Sequence, residues 1–130
     1  MMPLPTWMRR ALFTTAGMNI AVAGAFVPGA EPLRAVAGLP ETSDPLYLLT
    51  VGMFVGLFGL GYLSAALTGH AERLFIALAA VGKLTFFALL CWFWSVGHLP
   101  PRAPLLGAAD LVFGTLFLVW LIGASSRSPA

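Results

Sequence analysis

Residues 74–96 read LFIALAAVGKLTFFALLCWFWSV, an apolar run whose only charge is Lys83. A helix needs about 20 mostly apolar residues to cross a bilayer, and this stretch meets that length. A soluble core strand or helix would be shorter and flanked by charged faces, so the run reads as a transmembrane helix. It decides the fold because the chain on either side repeats the pattern.

Upstream, the link GHAER (Gly69 to Arg73) joins it to an apolar segment at 46–68. Downstream, HLPPRAP (His98 to Pro104) turns the chain into a further one at 105–124. A first segment at 11–27 follows Trp7, Arg9 and Arg10 and stops at Pro28 and Gly29. Short links force neighbouring helices to run antiparallel. The expected fold is therefore an all-α membrane protein, one domain over 1–130, built as an antiparallel bundle of four transmembrane helices.

Composition agrees. The 130 residues are 59% hydrophobic and only 9% charged, where a soluble domain carries about a quarter charged residues. Seven Lys and Arg stand against five Asp and Glu, spread along the chain, so no basic stripe suits nucleic acid. Arg9, Arg10, Arg73 and Arg127 fall at one end of the helices and Arg34 and Arg102 at the other. Cationic residues favour the cytoplasmic side, which places both termini there in a multi-pass protein of the bacterial inner-membrane type. Trp7 and Trp120 then approach the inner interface, and Tyr47, Trp92 and Trp94 the outer one. The basic start and the small residues Ala21, Ala23 and Ala25 also fit a signal peptide. Asn19 interrupts that apolar run, and its length favours a retained helix.

The link from Glu31 to Pro45 is the longest and reads as interfacial, with one helical turn near Leu33 to Gly38. Ser125 to Ala130 reads as a polar tail. Cys91 is the sole cysteine, which excludes a disulfide within the chain and a cysteine-based zinc cage; a packing role is expected. His70 and His98 flank opposite ends of one helix, roughly 42 Å apart, and cannot ligate one haem together. No metal site and no cofactor are expected. Ser64, Thr85 and Ser95 have no base nearby in sequence, so no nucleophilic site is legible.

Polar groups inside the spans carry what functional information there is. A charge at the bilayer centre costs roughly 2.5–3.5 kcal/mol and faces protein or a water-filled cavity. Lys83 lies roughly 13 Å into its helix, Asn19 roughly 12 Å and Tyr62 roughly 9 Å from the same edge. Asn19 shares a face with Thr15, Ala16 and Ala23, and Tyr62 with Gly59, Ala65 and Ala66. Asp110, flanked by Gly107 and Gly114, lies roughly 7 Å from the opposite edge, some 9 Å from the level of Lys83. A direct bridge between the two charges needs a shift of one helical turn. Asn19, Tyr62, Lys83 and Asp110 are the candidate polar pocket; the alternative is a network that fixes helix register. Gly52 and Gly56 match the close-packing spacing of membrane helices.

Gly38 to Pro40, GLGY at 59–62, Gly82 with Lys83, and ADLVFGTLF at 109–117 together resemble small four-helix membrane proteins of the DoxX-like kind. The resemblance implies the four-helix fold and, through the founding members, association with quinone-linked oxidation. It carries over no catalytic residue set. Three roles remain open: a non-catalytic accessory subunit with a membrane-protein partner, a quinone- or lipid-binding component, and a transporter acting as a homodimer.

Overall fold

The computed structural model describes residues 1–41 and 44–127, excepting the side chains of 125–127. Its helices are α1 (Thr6–Ala25), α2 (Glu31–Val36), α3 (Pro45–Thr68), α4 (Arg73–Ser95) and α5 (Arg102–Arg127). Two short strands, β1 (Met2–Pro3) and β2 (His70–Ala71), pair antiparallel and strap the N-terminal residues to the link between α3 and α4. The short helix expected near Leu33 to Gly38 is α2, and its start two residues earlier places Pro32 in its first turn.

Local chemistry sets the ends of α3. The Asp44 carboxylate accepts a hydrogen bond from the Leu46 amide at 3.0 Å, with Pro45 in the first helical position, where a missing N–H costs nothing. At the other end Gly69 takes a left-handed φ of 75° and donates its N–H to the Ala65 carbonyl. A side chain would strain that turn.

Three helices, Pro45–Thr68, Arg73–Ser95 and Arg102–Ala124, are long and apolar enough to cross a membrane. The protein is thus a multi-pass membrane protein. The fourth long helix, α1, has 20 residues but is not among them. It begins at Thr6, five residues before the expected edge, so Arg9 and Arg10 lie inside it beside Thr14, Thr15 and Asn19. Arg9 turns back to the C-terminus of α3, donating from Nε to the Ala66 carbonyl at 3.0 Å. Similarly α5 starts three residues early, at Arg102, because Pro104 sits in its first turn, where proline is tolerated. Apolar runs mark membrane edges, and helices overrun them. The polar tail expected from Ser125 is helical as far as Arg127, and its last three residues lie outside the described ones.

The long helices pack as two antiparallel pairs. In the first, Gly52, Gly56 and Gly59 of α3 face α1: a Cβ on Gly59 would lie 3.0 Å from the Asn19 Cβ and 3.4 Å from the Ala16 carbonyl oxygen. In the second, Gly107 and Gly114 of α5 receive Leu90 and Leu84 of α4. Small residues let helix backbones approach, which is the main source of association in lipid.

The two pairs join over one half of their length only. Met8, Leu12, Ala16, Tyr62, Ala66, Ile76, Ala80, Phe117 and Trp120 form one buried cluster, all toward the end that carries Thr6, Thr68 and Arg73. Trp120 is 1% exposed, so it is a core residue and not the interfacial anchor expected of it. Trp7, Tyr47, Trp92 and Trp94 are exposed. Beyond the level of Lys83 the buried residues Arg34, Leu48, Leu90 and Ala103 lie outside that cluster, and Val22, Val51, Phe86 and Leu106 stay exposed. The far ends meet again where Gly38 (φ 76°) packs on Pro100 and Arg102, whose guanidinium donates to the Ala35 carbonyl at 3.2 Å.

Candidate functional site

Lys83 stands at the boundary between the closed and open halves. Its position is about 15 Å along α4 from Arg73, near the middle of that helix. The side chain is 7% exposed, and its ammonium reaches every other long helix. On α5 it donates to Asp110 Oδ1 at 2.8 Å; on α1 it approaches Asn19 Oδ1 at 3.5 Å. On α3 it lies over the Tyr62 ring, 5.3 Å from the centroid, with the Phe113 ring of α5 at 6.0 Å. A cation over an aromatic face is held by the ring quadrupole, more strongly where water is excluded.

The helix register explains how the pair forms. A Cβ on Gly114 would lie 3.4 Å from the Lys83 Cβ, so Lys83 is level with Gly114, about one turn (roughly 6 Å) from Asp110. The expected offset along the bundle is therefore real but smaller than the sequence reading gave, since α5 begins earlier. The four-carbon stem of lysine spans what remains.

Asn19 is fixed by a second bond. Its Nδ2 donates to the Val55 carbonyl of α3 at 3.1 Å, which leaves the amide oxygen turned toward Lys83. The four residues expected to form a polar site are thus brought together. They form a packed cluster, and two open pockets of about 300 and 220 Å³ lie elsewhere, one lined by Leu39, Pro40, Phe93, His98 and Leu99 and the other by residues that include Gly61, Ser64, His70 and Phe75. Asp110 is the accessible member at 26% exposed. Among the described residues its Oδ2 accepts no hydrogen bond.

The arrangement supplies a neutralised charge pair with aromatic walls in the middle of the spans. It holds no nucleophile beside a base, and no group of His, Cys, Asp and Glu able to bind a metal occurs among the described residues. Cys91 is free and half-buried.

Three residues play parts that the sequence alone does not mark. Phe113 lies three residues after Asp110, on the same helix face, a spacing that could have pointed to it. Thr15 is fully buried, with Oγ1 unpartnered by any described residue. Arg34, 3% exposed, is the second buried cation. Its Nη1 donates to the Ala25 and Val27 carbonyls at 2.8 and 2.9 Å, and its Nε and Nη2 grip Glu41 at 3.3 and 3.1 Å. The Ala25 carbonyl is one that α1 leaves unpaired at its C-terminus, while the Val27 carbonyl, two residues past the helix, also accepts from the Ala30 amide at 3.2 Å. Nearby, the backbone N–H groups of Glu31 and Gly29 hold the Glu31 carboxyl below the usual carboxylate range, with Arg34 adding to the effect. Comparison with family models, with characterised proteins and with solved structures finds no match to this chain.

Proposed function

We propose that all four long helices cross the membrane, with both termini cytoplasmic in a bacterial inner membrane. In this reading the protein is a non-catalytic accessory or assembly subunit of a larger membrane complex, of the DoxX-like kind its motifs resemble. The observation that carries the role is the uncovered face of α1. Gly17 and Gly24 would meet nothing within 4 Å if given a Cβ, and Ala21 between them is exposed. The helix is also less apolar than its three companions. A glycine-bearing, weakly apolar face in a bilayer suits another protein helix better than lipid.

Extraction in a mild detergent tests this directly. The chain should run as part of a larger assembly containing a second polypeptide, and a reproducibly solitary protein would count against the role. Orientation is testable on a Cys91→Ala background. A cysteine at Glu31 should react with a membrane-impermeant maleimide in intact cells and one at Thr6 should not.

A second reading, a component that binds a quinone or lipid head group, is favoured by the accessible Asp110 beside Lys83 and Tyr62. In that case Lys83→Met abolishes binding while the fold persists. Unchanged binding would remove it.

A further inference from the structure

The surroundings of the Lys83 ammonium are those of a receptor for an organic cation. One carboxylate lies at 2.8 Å, an amide oxygen at 3.5 Å, and two ring faces have centroids at 5.3 and 6.0 Å. Aromatic faces with a carboxylate are how proteins bind alkylated ammonium groups. Here the protein's own ammonium fills the cage. We propose that Asp110, Tyr62, Phe113 and Asn19 form a binding site for a lipophilic organic monocation, which reaches the exposed side of the carboxylate from the open half and finds room in the packed cage only as Lys83 gives up its proton and withdraws.

Access is the first support. Asp110 is 26% exposed and Lys83 only 7%, so an incoming molecule meets the carboxylate first, at Oδ2. Beyond that level Val22, Val51, Phe86 and Leu106 are exposed, so an apolar body finds apolar surface. The opposite direction is sealed by Leu12, Ile76, Phe117 and Trp120, all buried at 1% or less.

Charge balance is the second. The pair is neutral, and adding a cation to it would leave a net positive charge among the spans, which is costly. Loss of one proton from the Lys83 ammonium to water on the open side restores neutrality: one cation enters, one proton leaves, and Lys83 remains as an amine. Lysine can do this where arginine cannot. The groups facing Lys83 are Tyr62 from α3 and Asp110 from α5; α1 presents only the uncharged Asn19 amide, and α4 has no other charged residue within two turns. A metal ion fits poorly, since hard cations take about six or more oxygen ligands and the cage residues carry four side-chain oxygens.

This inference goes beyond the accessory role and does not rest on it. Its test is titration of the purified full chain in nanodiscs with tetraphenylphosphonium, with triphenylphosphine oxide as the uncharged analogue and empty nanodiscs subtracted. Wild type should bind the cation in preference to the oxide, release one proton per cation to a pH indicator, and bind about tenfold more tightly for each unit of rising pH. Lys83→Met should bind at least about tenfold more tightly with no proton released, because the resident competitor is gone. Asp110→Asn should lose binding. Equal binding of the oxide, binding without proton release, or retained binding by Asp110→Asn overturns the proposal. The wild-type proton count needs no variant, so it decides even if Lys83→Met fails to fold. The head-group reading makes the opposite prediction for Lys83→Met.

Discussion

Among the described residues Arg34 and Lys83 are the two buried cations, and they are held in different ways. Arg34 uses its planar fork to join two carbonyls at the end of α1 to the carboxylate of Glu41, all within the link region. Every direction of the fork has a hard oxygen partner, and the group cannot lose its proton. Lys83 has one short bond to a carboxylate, one long approach to an amide, and soft ring faces for the rest. Its partners come from three other helices, and the carboxylate is accessible. The first arrangement is a permanent clasp. The second can change, and that is where function is to be sought.

Breaking the clasp should have the largest effect. Arg34→Met leaves the half-exposed Glu41 unpaired, the Ala25 carbonyl without its donor and the Val27 carbonyl with only the Ala30 amide, and should lower stability by about 3 kcal/mol in a reversible detergent-to-SDS unfolding titration. Arg34→Lys should restore little, because one ammonium cannot span both sets of partners. The turn at Gly29 to Glu31, beside the clasp, should weaken in acid. Folding lowers the Glu31 value, so its contribution is fully present above the ordinary carboxylate value of about 4.3 and disappears as pH falls through the lower folded value.

How far these two sites were legible differs for a physical reason. Lys83 and Asp110 stand out because a charge inside an apolar run is expensive and visible, and helical spacing placed Asn19 and Tyr62 at comparable depth. Their contact was not legible, because it turns on where α5 begins and on lysine's reach across one turn. Arg34 looked like an ordinary interfacial cation, since two of its partners are backbone carbonyls with no sequence signature and Glu41 lies seven residues away along the link. The three apolar crossings were plain from hydropathy. The length of α1 was obscured because Arg9 and Arg10 resemble a boundary yet lie within the helix, with Arg9 bonded to α3. Nothing in composition told which halves of the helices would meet; Trp120 looked interfacial and is buried.

The helix contacts that position the adaptable site offer smaller tests. Gly59→Leu pushes α1 from α3 beside Asn19 and should cost about 1–3 kcal/mol in the same titration. Asn19→Leu removes the bond to Val55 and the oxygen near Lys83, for about 1 kcal/mol. Gly17→Ala, at a position with open space around it, should change stability of the isolated chain by no more than about 0.5 kcal/mol. Gly17→Leu should nonetheless dissociate the proposed complex in native gels, and an intact complex would mean that α1 faces lipid.

The most direct test of the difference between the two cations is a double-mutant cycle on Lys83→Met and Asp110→Leu, read by the same unfolding titration. Each single change leaves the other charge unpaired among the spans and should cost about 2–3 kcal/mol, while the double should recover most of that loss, giving a coupling above about 1.5 kcal/mol. Losses that simply add, within about 0.5 kcal/mol, would show that Lys83 and Asp110 do not act as a pair.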